Sequence, residues 1–226
     1  MTRLLALDTA TEACSAALLD GKVLRERFEL APREHARLLL PMVESLLNEA
    51  DLVLADLDAI AFGRGPGSFT GVRIAAGMAQ GLAFAAGLPV APVSSLAALA
   101  QGAADAGHSR VLAAIDARMG EVYWGAFVAG EDGLVAMDGI EEVCSPETVP
   151  LPEGADWFGV GTGWATYTEV LHGRLGPAVT ASDGNRFPHA GAVVRLAVAD
   201  VADGNVLAPE QALPVYLRNQ VAQKPG

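Results

Sequence analysis

Leu4-Leu5-Ala6-Leu7-Asp8-Thr9-Ala10-Thr11, residues 4–11, is a short apolar run that breaks off in a carboxylate and hydroxyls. A second apolar run, Cys14 to Leu19, follows at once, and Asp20-Gly21 is a hairpin turn signal. Lys22 to Leu30 then reads as a return strand, so three antiparallel strands open the chain. Further on, Val111 to Asp116 is again an apolar run ending in an acid, with Ala117-Arg118-Met119-Gly120 as the turn and Glu121 to Val128 as its antiparallel partner. A set of strands opened by a hairpin and followed by helices therefore occurs twice. This predicts an α/β protein of two related lobes, each a mixed sheet with flanking helices. The expected boundaries are residues 1–105 and 106–208, with residues 209–226 packing back on the first lobe.

The connecting segments fit that plan. Glu34 to Ala50 is helical, with Leu39, Met42, Val43, Leu46 and Ala50 at helical spacing. Leu40 and Leu47 widen this stripe beyond what one sheet face needs. Pro41 inside it predicts a kink or a late helix start. Ala59 to Phe62 is a buried strand leading into Gly63-Arg64-Gly65-Pro66-Gly67. Ser68 is the expected cap of a helix from Phe69 to about Ala86, stopped by Gly87-Leu88-Pro89. Val90 to Val93 is the next strand, and Ser94 or Ser95 caps an Ala-rich helix to about Ala106. Glu131-Asp132-Gly133 is a turn and Leu151 to Gly154 a loop. Trp157 to Val160 is a strand ending in Gly161-Thr162-Gly163. Helices are expected at about Trp164–His172 and Pro188–Ala202, and Leu213 to Arg218 is extended.

The helix from Phe69 carries Gly71, Gly77 and Gly81, each costing about 1 kcal/mol relative to Ala in a helix interior. Gly77, Gly81 and Ala85 form one stripe at four-residue spacing, and Ala75, Ala79 and Ala83 form another. Both stripes pack on the lobe's own sheet, or one faces the sheet and the other a partner. The spare apolar width of Glu34–Ala50 favours the second reading and a helical interface, self-paired or with a relative.

Charge and composition exclude several classes. The 226 residues carry a net charge of −12, with 8 basic and 12 acidic side chains in residues 1–105 and 7 and 15 in the rest. Clustered Lys and Arg, the footprint of a phosphate-neutralising surface, are missing from both halves. The two cysteines, Cys14 and Cys144, lack any metal-ligand spacing and read as reduced thiols. Met1 to Leu7 is too short for a leader, and no run approaches a membrane span. The reading is a cytoplasmic protein with no membrane attachment. His35, His108, His172 and His189 are never three or four apart, so no helix displays a metal pair. The loop Gly67-Ser68-Phe69-Thr70 has no lysine, so it is not a Walker motif. It remains either a phosphate cradle of backbone amides or a tight strand-to-helix connection, and Gly161-Thr162-Gly163 is ambiguous in the same way. Asp8-Thr9-Ala10-Thr11 and Asp116 to Gly120, at repeated positions, resemble the two phosphate loops of the actin/hexokinase superfamily, where an acid and hydroxyls face a metal–nucleotide.

Four runs taken together carry a closer resemblance. Leu5 to Cys14, Gly63 to Arg73, Ala114 to Trp124 and Pro214 to Arg218 resemble, in order and over nearly the whole chain, the TsaB (YeaZ) family. The resemblance implies an actin/hexokinase-like fold and a part in making threonylcarbamoyladenosine beside the anticodon of ANN-decoding tRNAs. It implies a non-catalytic scaffold or activating subunit, paired with the catalytic paralogue TsaD and joined by the ATPase TsaE, with tRNA met only through the complex and a homodimer in isolation. In TsaD a helix carries HxxxH, which binds the metal; here Ser95 and Leu99 stand at those places, so neither catalytic nor metal residues are expected. The implied partner interface is Leu39, Met42, Val43, Leu46, Arg73, Gly77 and Gly81. The implied remnant of a nucleotide site is Asp8, Thr9, Thr11, Asp116, Gly161, Thr162 and Gly163, with no cofactor required and ATP or ADP bound weakly at a shared interface. The alternative is an enzyme acting alone, either a nucleotide-dependent enzyme of this superfamily or a degenerate metallopeptidase.

Overall fold

The computed structural model describes residues 2–218. Strands β1 (Arg3–Asp8), β2 (Ala13–Asp20) and β3 (Val23–Leu30) form the opening antiparallel set. Helix α1 (His35–Ala50) leads to β4 (Ala59–Gly63), α2 (Phe69–Ala86), β5 (Val90–Val93) and α3 (Ser95–Asp105). The second half runs β6 (Arg110–Arg118), β7 (Glu121–Ala129), β8 (Val135–Met137), β9 (Glu142–Cys144) and β10 (Trp157–Val160). It continues through α4 (Thr162–Thr166), α5 (Thr168–Leu175), β11 (Val179–Asp183) and α6 (Ala190–Ala202).

The first sheet has the order β3-β2-β1-β4-β5 and the second β8-β7-β6-β10-β11, with β9 also on β7. β1 is antiparallel to β2 and parallel to β4, just as β6 is antiparallel to β7 and parallel to β10. The two sheets are thus one plan used twice. The third strand of the plan is a single edge strand in the first lobe and is split into β8 and β9 in the second.

Each sheet buries both faces. Leu5, Leu7, Ala16, Leu18, Ile60 and Phe62 pack under α1 and α2, while Leu4, Ala6, Ala17, Ala61 and Ala91 pack under α6. Burial on both faces explains why β1 and β4 read as unbroken apolar runs rather than alternating ones. In the second lobe Val111, Ala113 and Val160 pack against Leu96, Leu99 and Ala103 of α3, and Leu112, Trp124, Trp157 and Trp164 pack on the opposite face. The helix that ends each lobe's sequence therefore crosses to the other lobe's sheet. Helix α6, placed by sequence in residues 106–208 with the second lobe, lies on the first sheet, because its Ala192, Val193, Val194 and Ala197 fit the small-residue face of β1, β2 and β4.

Helix α1 starts at His35, before Pro41, not after it; Pro41 is exposed, so the carbonyl it strands at Arg37 lies where water reaches. Residues 209–218 pack on the first lobe but do not stop there. Ala212 joins the core under α2, Val215 N–H donates to Arg64 O at 2.8 Å, and Arg218 reaches Glu121 and Ala117 O of the second lobe. Residues 219–226 of that expectation lie outside the described residues. No described helix is long and apolar enough to cross a membrane.

Candidate functional site

The turn after β1 is folded inward. Asp8 is fully buried; its Oδ1 accepts from Ala10 N–H at 2.9 Å and its Oδ2 from the Ser95 hydroxyl at 3.1 Å. Burial is the main force on this carboxyl and pushes it up to about 6, against the opposing pull of those two hydrogen bonds. Thr9 is buried and donates to Gly71 O at 2.7 Å; Thr11 accepts from Ala13 N–H at 3.3 Å. A Cβ at Gly63 would strike Asp8 Oδ2, one at Gly67 would strike Ala10 O, and one at Gly71 would strike Thr9 O. These glycines let the loop before α2 close down on the first turn, and Ser68 N–H is spent on Ala10 O. The loop is packed tightly on the first turn, and its end, Gly67 to Phe69, lines the cleft described below. Ser68 caps α2 through Gly71 N–H and Ser94 caps α3 through Leu96 and Ala97 N–H.

The turn between β6 and β7 is built differently. A bulge at Ala117 shifts the register, and Arg118, Met119 and Gly120 all take positive φ, at 61°, 57° and 79°. Arg118 thereby folds back on Asp116, giving its backbone N–H to Oδ1 at 2.8 Å and Nη1 to Oδ2 at 2.8 Å. Its Nη2 reaches across to Glu12 Oε1 at 3.1 Å. One guanidinium thus ties the turn after β6 to the turn after β1. Asp116 N–H donates to Thr162 Oγ1 at 3.0 Å. Gly161 and Gly163 are pressed on Ala114, where a side chain would collide.

Between the two turns lies a cleft of about 820 Å³. Thr11, Asp116 and Thr162 line it, together with Arg33, Arg73, Arg118, Arg218, Phe69 and Tyr216. Of the seven residues expected at a nucleotide site, Asp8, Thr9, Gly161 and Gly163 are therefore structural supports behind the cleft, and Thr11, Asp116 and Thr162 face it. Sequence reading named Arg73 only as a partner-interface residue and assigned Arg33, Arg118 and Arg218 no place in the site. The four arginines lie at separate points along the chain, and Arg118, two residues after Asp116 in a turn, was the one whose local sequence pointed to the cleft. At the rim the Arg73 guanidinium lies 3.3 Å from the Phe69 ring centre and 5.0 Å from that of Tyr216.

A metal–nucleotide between two such turns is what the fold class implies, and the donors do not fit a divalent cation. Both Asp8 oxygens are buried and hydrogen-bonded, and both Asp116 oxygens are held by Arg118. Among the described residues there is no cluster of three or more His, Cys, Asp and Glu side chains that could hold a metal. Ser95 is buried against Asp8, and Leu99 is in the core beside Gly161. Burial pushes both thiols, Cys14 and Cys144, up to about 11, which leaves them protonated near neutrality.

The expected interface residues divide. Leu39, Met42, Val43 and Leu46 are not at the surface: they are the core between α1 and the first sheet, because the stripe, Leu47 included, is consumed by β2 on one side and α2 on the other, while Leu40 stays exposed. Arg73, Gly77 and Gly81 are exposed, with open space above both glycines, while Ala75, Ala79 and Ala83 are buried. Of the two small-residue stripes on α2, one packs on the sheet and the other is bare. Phe69 and the 80% exposed Phe84 flank the bare stripe.

Two duplicated α/β lobes with crossing helices, and a cleft between the two hairpin turns, define an actin/hexokinase-like protein. The family model described as "TsaD: tRNA N6-adenosine threonylcarbamoyltransferase" matches residues 28–203. The chain is 46% identical to the tRNA threonylcarbamoyladenosine biosynthesis protein TsaB of Escherichia coli K12, over 98% of this chain and 97% of that one. It is 44% identical to TsaB of Haemophilus influenzae, over 98% and 95%. The solved structure of YeaZ from Pseudomonas aeruginosa superposes with a TM-score of 0.90 at 53% identity, covering 96% of this chain and all of that one. The chain belongs to the TsaB/YeaZ family of tRNA threonylcarbamoyladenosine biosynthesis proteins.

Proposed function

We propose that this chain is a non-catalytic subunit that supports transfer of the threonylcarbamoyl group to the adenosine beside the anticodon of ANN-decoding tRNAs. The observation that carries this is the start of α3. Where the catalytic relative has its metal-binding histidines, Ser95 is hydrogen-bonded to Asp8 and Leu99 is packed in the core. Neither position leaves room or chemistry for a metal-assisted transfer, so the catalysis belongs to a TsaD-type partner of the same fold.

The bare stripe of α2 supports the pairing. Gly77 and Gly81 present backbone that a second helix approaches closely, and Arg73, Phe69 and Phe84 frame the contact. The same face joins two copies into a homodimer when the partner is missing. An ATPase of the TsaE type completes the assembly in the cytoplasm. With a net charge of −12, this chain leaves the tRNA phosphates to its partners. It requires no cofactor for this role; the cleft beside the interface binds ATP or ADP weakly.

Reconstitution tests the reading. The catalytic relative, the ATPase and the enzyme that makes threonylcarbamoyl-adenylate are combined with tRNA, with and without this chain, and modified adenosine is quantified. Modification is expected only with the chain present, and the chain alone is expected to give none. Full modification without it, or no shift on gel filtration when it is mixed with the catalytic relative at micromolar concentration, refutes the proposal.

A further inference from the structure

In a chain of net charge −12, the cleft is lined by Arg33, Arg73, Arg118 and Arg218 against Glu12 and Asp116. Glu121, paired with Arg218, makes the balance four cations against three acids, a small positive excess in an acidic chain, and a concave site walled by apolar groups concentrates anions. Its volume of about 820 Å³ and its aromatic rim of Phe69 and Tyr216 suit a nucleotide-sized ligand. The acids that a metal–polyphosphate needs are nevertheless occupied: Asp8 by Ala10 and Ser95, Asp116 by Arg118 on both oxygens. Arg118 stands between the two turns, bonded to Asp116 on one side and Glu12 on the other.

We propose that the cleft takes a polyphosphate as the bare anion, with Arg118 in the place of the divalent cation. The Arg118 side chain is 72% exposed, and its pairs to Asp116 and Glu12 use one contact each of Nη1 and Nη2, so the remaining N–H donors of the guanidinium face phosphate oxygens while Asp116 stays occupied. The positive φ of Arg118, and the bulge before it, aim that side chain into the cleft. Arg33 adds a further charge, being in no ion pair among the described residues, and Arg73 is held at the rim by Phe69. The proposal rests on the reading of the cleft as a nucleotide site, but not on any partner.

Calorimetric titration of the full chain with ADP and with pyrophosphate, each in EDTA and in excess Mg2+, tests it. Binding is expected in EDTA and is not tightened by Mg2+. Pyrophosphate binding as tightly as ADP assigns the recognition to phosphate alone, and tighter ADP binding adds the nucleoside at Phe69 and Tyr216. Arg118→Gln, at an exposed position, is expected to weaken metal-free binding about tenfold, the worth of one charge-assisted hydrogen bond. Asp116→Asn, which frees Arg118 from a competitor, is expected to leave binding unchanged or tighter. Binding that appears only with Mg2+, or is abolished by Asp116→Asn and not by Arg118→Gln, overturns the bare-anion proposal while leaving a nucleotide site standing. No binding of either probe in either condition overturns both.

Discussion

Asp8 is a turn acid folded into the core and away from the cleft. Its carboxylate is enclosed by Gly63, Ala10 and Ser95, and burial raises it to about 6. A carboxyl raised in the native state binds its proton more tightly there than in the unfolded chain, whose ordinary value is near 3.8. Its contribution to stability is therefore greatest below about pH 4 and is lost as pH climbs through about 6, a difference of about 3 kcal/mol when integrated. Asp8→Asn keeps the acceptor for Ala10 N–H and removes the titration. In urea unfolding it is expected to match the parent near pH 4 and to exceed it at pH 7 by up to about 3 kcal/mol. A variant less stable than the parent at pH 7 would show that the buried charge is compensated by contacts beyond those two hydrogen bonds. Hydrogen bonding of Asp8 was not legible in the sequence, because Ser95 is brought to it from 87 residues away.

At the scale of elements, α2 carries the clearest division between glycines the fold needs and glycines it leaves bare. Gly71 is needed by the fold, since a side chain there would strike Thr9 O, whereas Gly77 and Gly81 meet nothing within the chain. Gly77→Ala and Gly81→Ala should each stabilise the isolated chain by about 1 kcal/mol through helix propensity, and Gly71→Ala should destabilise it. Thermal or urea midpoints check all three. Gly77→Leu and Gly81→Leu should fold and yet weaken gel-filtration association with the catalytic relative by overpacking; undiminished association in a folded variant would remove these glycines from the contact. The two stripes of α2 were legible because a helix of 18 residues shows its periodicity plainly. The opening hairpins were legible because Asp20-Gly21 and Met119-Gly120 are turn chemistry. Strands β8, β9 and β11 were not: the first two are three residues long, and β11, Val-Thr-Ala-Ser-Asp, is a half-exposed edge strand with little apolar signal. The stripe of α1 was read correctly as apolar and wrongly as surface, since periodicity reports that a face is buried and not what buries it.

For the whole molecule, the decisive features are the long-range ones: helices α3 and α6 exchanged between sheets, and side-chain links between lobes that add to the Arg118–Glu12 pair. Arg64 of the loop before α2 pairs with the nearly buried Glu141 at 3.2 Å, and Glu141 also accepts from Ser94. Arg218, at the end of the described chain, pairs with Glu121 and donates to Ala117 O, while Val215 three residues earlier is hydrogen-bonded to Arg64. The tail thus straps the first lobe to the turn that carries Arg118. Removing the strap should loosen that turn before it loosens either sheet, because the sheets have their own cores and the turn holds three residues at positive φ. Arg218→Ala is expected to cost about 1 kcal/mol of stability, the loss of a carbonyl contact and of an ion pair whose Glu121 side is open to solvent and screened by it. Hydrogen exchange is expected to rise across residues 117–121 and to remain at parental levels in β1, β4 and β6. A uniform rise over both sheets would mean that the tail secures the fold as a whole; no change at 117–121 would mean that the bulge at Ala117 and the Asp116–Arg118 pair hold the turn unaided.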